Sequence, residues 1–186
     1  MRGVELQAAA VRGSRCSLRP LSLRVSHTTR PNVEPGERYW QLVEPHWERV
    51  SIHDGADTFL HEFAQTPEAA RTLLAAHWCQ SEVCNGGFNQ FFWNSTGVLA
   101  PEAANAFEAI GMPGLAALVR RAASFFGSDY IRDRDRRIAL LGHYEETHPG
   151  ASDPFDAMDD QFYKLLREEA GGWDMVADAY AEAHGG

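Results

Sequence analysis

The sequence predicts an all-α protein, a compact single-domain bundle of about eight or nine short helices. Three observations predict it. Apolar residues recur at three- and four-residue steps in segment after segment beyond residue 36. No segment alternates at period two, and no run of β-branched residues exceeds two. Prolines and glycines fall between the apolar stripes, where helices start and stop. With 186 residues, 44% hydrophobic and 11% aromatic, the chain is long and apolar enough for one sizeable core and leaves little room for a second domain.

Residues 1–35 are rich in Arg and Ser, poor in acid and broken by Pro20, Pro31 and Pro35, and read as a disordered N-terminal extension. Arg19, Pro20 and Arg24 interrupt the one apolar stretch that would suit a signal peptide. The Arg-rich, acid-poor bias is shared with organellar transit peptides, but an idle tail is preferred to a targeting segment. The folded domain is expected over residues 36–184. Trp40, Val43, Trp47 and Val50 form its first stripe, with Pro45 expected to kink or split the helix. Phe59, Leu60 and Phe63 share one face of the next helix. Thr66-Pro67-Glu68 then reads as cap, first-turn proline and dipole-complementing acid.

The helix that follows carries Ala70, Leu73, Leu74, His77 and Trp78 on one stripe and is expected to end near Cys84. Gly86-Gly87 permits a sharp turn, with Asn85 as the cap of a second helix on which Phe88, Phe91 and Phe92 share one buried face. Pro101 opens a helix closed by Gly111, and Pro113 opens another closed by Gly127. Asp129 to Arg137 reads as a solvated block of local ion pairs leading to Ile138, Leu141 and Tyr144. Asp153-Pro154 opens a helix stopped by Gly171-Gly172, and Trp173, Val176, Ala177 and Tyr180 mark the last.

Charge narrows the function. Of 17 basic and 26 acidic residues, six Arg and one Glu lie in residues 1–30, which leaves 11 against 25 over residues 31–186, a net charge of −14. A body of that sign repels nucleic acid and suits a basic protein partner. Three Cys (Cys16, Cys79, Cys84) do not make a paired framework, so a reducing cytoplasm is the simplest compartment. No apolar run approaches the ~20 residues of a membrane span.

The string Glu82-Val83-x-Asn85-Gly86-Gly87-Phe88-x-Gln90-Phe91-Phe92-x-Asn94-x-x-Gly97 resembles the signature of a bacterial domain family of unknown function that includes a DNA-mimic protein. Ala109-Ile110-Gly111, Arg137 and Phe155-Asp156-x-Met158-Asp159-x-x-Phe162-Tyr163 extend the resemblance from about Tyr39 to about His184. It implies a protein-binding role for which DNA mimicry, a property of one branch, is the model. The motif residues Asn85, Gly86, Gly87, Phe88, Gln90, Phe91, Phe92, Asn94 and Gly97 are read as mainly structural.

Catalytic and metal chemistry find little support in the spacing. His53 and His61 lie eight apart, His77 and Cys79 point to different sides of a helix, and Ser81 and Cys84 lack a nucleophile elbow. No cofactor, metal or catalytic residue is expected. Asn85, Asn89, Gln90 and Asn94 beside Glu82 would suit an anion or a carbonyl oxygen. The preferred reading is that these amides satisfy buried backbone groups around the diglycine turn.

Mimicry needs carboxylates arranged like phosphates. Asp156, Asp159 and Asp160 follow three- and four-residue steps, which at ~1.5 Å rise places one charge every ~5 Å. Duplex DNA carries one per ~1.7 Å of axis, so further helices or a symmetric homodimer must add rows. Asp129, Asp133, Asp135 and Asp153 are candidates for extending the surface, and Arg132, Arg134, Arg136 and Arg137 are expected to neutralise part of it. The resulting expectation is a non-catalytic acidic module that binds a basic protein, such as the DNA-reading surface of a regulator. One rival is a small-ligand-binding protein or enzyme using an Asn85–Asn94 pocket. A toxin-neutralising interaction protein is the other.

Overall fold

The structure, a computed structural model, describes residues 34–47 and 55–185. The extension expected over residues 1–35 lies, apart from its last two residues, outside the described residues, as do Cys16, Val50 and His53. Among the described residues there are eight α-helices and no strand. They are α1 Glu37–Trp47, α2 Ala56–Gln65, α3 Glu68–Trp93, α4 Ala100–Ala109, α5 Pro113–Ala123, α6 Arg134–Thr147, α7 Asp156–Glu168 and α8 Trp173–His184. Short 3-10 turns follow α3 (Ser95–Leu99), α5 (Ser124–Phe126) and α7 (Glu169–Gly171). Among the described residues no helix is long and apolar enough to cross a membrane.

The architecture is organised by α3, which packs against α1, α4, α6, α7 and α8. Its sequence dictates that place. Leu73, Leu74, Ala75, Ala76, Cys79, Val83 and Cys84 are buried around most of its circumference, and a helix apolar on nearly all sides must be surrounded. Beyond the diglycine, Phe88, Phe91 and Phe92 are fully buried, as their spacing predicts. Phe88 meets Phe162 of α7 edge-on at 5.3 Å, and Phe92 contacts Phe126 at 4.8 Å and Phe155 at 5.2 Å. Each such ring contributes roughly 1.5–3 kcal/mol by burial, so this cluster joins α3 to α7 and to the end of α5.

Several expected boundaries shift for local reasons. The helix does not split at Pro45 but runs on to Trp47. Pro45 sits in the last turn, where its missing N–H removes one helix bond with only two residues to follow. Thr66 does not cap α3; its hydroxyl donates back to the Glu62 carbonyl at 3.5 Å. His77 does lie at the edge of the core. It sits among Tyr39, Trp40 and Trp47, shares a hydrogen bond with the Tyr39 hydroxyl at 3.2 Å, and is held neutral by burial, which lowers its pKa to about 4. Trp47 stacks on Trp78 at 4.3 Å beside it and completes the docking of α1 on α3.

Helix N-termini are capped by acids from distant parts of the chain. Asp178 of α8 accepts from the backbone N–H groups of Gly36 (2.8 Å) and Tyr39 (3.0 Å) at the start of α1. Glu169 accepts from Gly114 (2.6 Å) and Leu115 (3.0 Å) at the start of α5. Each carboxylate both satisfies orphan donors and faces the positive end of a helix dipole.

Gln80 of α3 is wholly buried, and neither its amide oxygen nor its nitrogen has a hydrogen-bond partner among the described residues; the Trp173 indole N–H is likewise buried without one. Replacing an orphaned amide by an apolar chain of similar length removes a desolvation cost of about 1–3 kcal/mol. Gln80→Met is therefore expected to raise the urea unfolding midpoint, whereas an unchanged or lower midpoint would show that the amide is satisfied by buried water.

Candidate functional site

The site is built on the interruption within α3. Gly86 (φ −157°, ψ 27°) and Gly87 (φ 76°, ψ 179°) leave helical geometry, so the expected helix, turn and second helix are all present. The cap is not the expected one. Asn85 is exposed, and the Phe88 N–H donates instead to Asp159 Oδ1 of α7 at 2.8 Å. The side chain of Asp159 lies so close to Gly87 that a Cβ there would overlap its carboxylate. Two requirements thus select glycine at position 87: a positive φ and the approach of Asp159.

Burial pushes the Asp159 carboxyl up from 3.8 to about 6; Asp153, Asp156 and Asp160 add to the rise, and the Phe88 N–H opposes it. A carboxyl that holds its proton more tightly when folded contributes stability that is complete below about pH 3.8 and is lost as pH rises through about 6. Asp159→Asn keeps an acceptor for Phe88 and removes the charge. It is expected to raise stability at neutral pH by about 1 kcal/mol or less, since solvent screens this half-buried group, and to flatten the stability profile over that pH window. Asp159→Ala, which removes the cap, should cost about 1 kcal/mol. Urea unfolding at neutral and mildly acidic pH checks both.

The amides are engaged, but not as expected. They do not satisfy backbone groups of the turn. Gln90 Nε2 (2.8 Å) and Asn94 Nδ2 (2.9 Å) both donate to Glu82 Oε2, and the Thr96 hydroxyl donates to Glu82 Oε1 at 3.1 Å. Asn89 Nδ2 donates to Asp153 Oδ2 at 2.6 Å. These N–H groups face carboxylates of the protein itself, which opposes the rival reading of an anion-binding pocket there. The diglycine break is what brings Gln90 and Asn94, eight and twelve residues on, back over Glu82.

The far end of α3 is closed by arginines. Arg137 is fully buried; its Nε donates to the Phe92 carbonyl at 2.9 Å, its Nη2 to Asn94 at 3.0 Å, and its Nη1 to Ile131 and Arg132. Burial lowers its pKa, yet four carbonyls surround the cation. Arg134 Nε donates to the Trp93 carbonyl at 2.9 Å. Arg132 pairs with both oxygens of Glu102 and also reaches the Val98 carbonyl. Gly97 fits beneath them because a Cβ would lie 2.7 Å from the Phe91 carbonyl oxygen. The block from Asp129 to Arg137 is exposed at Asp129, Asp133, Arg134, Asp135 and Arg136, as its sequence suggests, but Arg132 and Arg137 turn inward to partners outside the block. Cations meet the carbonyl end of a helix, where charge and dipole agree.

The candidate acidic residues divide in the same way. Asp129, Asp135, Asp156 and Asp160 are exposed. Asp133 caps α6 by accepting from the Arg136 N–H at 2.8 Å. Asp153 and Asp159 are half-buried and engaged, Asp153 Oδ1 accepting from Phe155 N–H at 2.8 Å.

Two clefts meet at the Asn89–Asp153 pair. One, of about 340 Å³, is walled by Leu141, Tyr144, Glu145, His148 and Ser152. The other is open and lined by Gly86, Gln90, Trp93 and Asn94. Trp93 is 43% exposed, a feature that helical spacing hints at because it falls between the Phe91-Phe92 face and the amides. The clefts themselves, and the distant caps Glu169 and Asp178, have no local signal in the sequence.

No curated protein and no solved structure matches the chain. Residues 64–184 match the DMP19-like protein family, a stretch that contains the diglycine break, the Glu82 cluster, Arg137 and Asp159. The chain belongs to the DMP19-like protein family.

Proposed function

We propose that this chain is a non-catalytic acidic module that occupies the basic DNA-reading surface of a DNA-binding protein. The observation that carries the proposal is the sorting of charge. Arg137 is withdrawn into the interior, Arg132 is paired with Glu102, and Arg134 sits on a helix-end carbonyl, while Asp129, Asp135, Asp156 and Asp160 remain exposed. Two of the four arginines that would neutralise an acidic surface, Arg132 and Arg137, are thus committed to partners within the fold, while Arg134 and Arg136 stay exposed and offset part of it. Family membership and the net charge of −14 over residues 31–186 support the same reading. The acids on α7 alone are too sparse to imitate a duplex, so α6 or a second copy of the chain would supply further rows.

Association of this kind is fast at low ionic strength and weakens as salt screens the charges. Capture from a cell extract at low salt, followed by a salt gradient, should release a basic DNA-binding protein. Duplex DNA carrying that protein's site should displace the chain from it. Partners that resist salt and do not bind DNA would overturn the proposal.

A further inference from the structure

We propose that the groove where the two clefts meet, at the Asn89–Asp153 pair, seats an arginine side chain of the basic partner. This rests on the function proposed above and names its point of anchorage. Asn89, Gln90 and Asn94 each commit one N–H to Asp153 or Glu82, which leaves every amide its carbonyl acceptor and a second N–H. The carboxylates of Asp153 and Glu145 stand among the same lining residues, and neither cleft is lined by Lys or Arg.

A lining with two carboxylates, several amide carbonyls and no lysine or arginine favours a cationic ligand rich in donors. The guanidinium group has five N–H donors in one plane and no acceptor, which matches this lining in sign. Trp93, 43% exposed on the open cleft, offers a face on which that plane stacks, and the ring of Tyr144 lines the neighbouring cleft. A lysine would satisfy the charge, but its compact ammonium neither stacks nor bridges two carboxylates in a plane. The cation beside Trp93 is Arg134, whose Nε is held on the Trp93 carbonyl, so the stacking face of the indole rather than its backbone is what remains for the ligand.

The test uses the full chain with hexa-arginine and hexa-lysine peptides at low salt, with binding followed by calorimetry and folding by thermal melting. Hexa-arginine should bind more tightly than hexa-lysine. Trp93→Ala and, separately, Glu145→Gln should each weaken hexa-arginine by about three- to tenfold while changing hexa-lysine much less. The Glu145 side chain is exposed and accepts no hydrogen bond among the described residues, so its variant reports on the groove even if Trp93→Ala lowers the melting temperature. Glu62→Gln, an exposed position on α2 that lines neither cleft, should leave the preference for arginine intact. If hexa-arginine binds in a salt-dependent way but ignores both groove substitutions, the groove is not the anchor while the acidic-module reading stands. If neither peptide binds, both fall.

Discussion

Replacing Arg137 with Ala is expected to lower the free energy of unfolding by about 3–5 kcal/mol, the largest effect of any single substitution considered. The guanidinium is fully buried and is the shared partner of the Phe92, Asn94, Ile131 and Arg132 carbonyls. Two of these, Phe92 and Asn94, belong to the end of α3, where no following helical turn supplies an N–H. Truncation leaves a void and several orphaned acceptors together. A domain of this size is stabilised by only about 5–15 kcal/mol, so the variant should be substantially unfolded on mild heating. Arg137→Met separates the two causes, since it refills the volume and leaves the carbonyls unpaired. It should remain destabilised by about 2 kcal/mol or more, and Arg137→Lys should rescue only in part because an ammonium lacks the planar fork. Urea unfolding with an unchanged slope is the measurement. A Met variant as stable as the parent would show that the carbonyls find other donors.

Gly87→Ala should cost about 3 kcal/mol, the sum of a strained backbone and a displaced cap. At φ 76° and ψ 179° the residue occupies a region that side chains avoid, and its Cβ would overlap the Asp159 carboxylate that caps Phe88. The two contributions are separable by a double variant. In the Gly87→Ala background Asp159→Ala should be less harmful than in the parent, because removing the carboxylate makes room for the new methyl group. Strict additivity would indicate that backbone strain alone sets the cost. Gly86 provides the contrast. Its φ of −157° is extended backbone, and a Cβ there would meet the end of the Gln90 side chain. Gly86→Ala should therefore disturb the Glu82 cluster more than the fold, with a loss of about 1 kcal/mol or less.

Much of the helical plan was legible from residue order because its causes are local. Phe88, Phe91 and Phe92 share a face by spacing alone, and Gly111 and Gly127 end helices at φ 91° and 104°, where other residues are strained. The diglycine break follows from the same reasoning. What residue order left open was the partner of each charged or amide group. Asn85 looked like the cap because it is adjacent, yet Asp159, 71 positions away, performs that task. Asp178 caps α1 across 142 positions and Glu169 caps α5 across 55. Arg132 and Arg137 read as surface cations until α6 is placed beside the carbonyl end of α3. An apolar stripe carries its own instruction, because water excludes it whatever lies opposite. A carboxylate, an amide or a guanidinium has no such preference: water, a helix end or another side chain will satisfy it, and only the packing of α3 against α6, α7 and α8 chose among them.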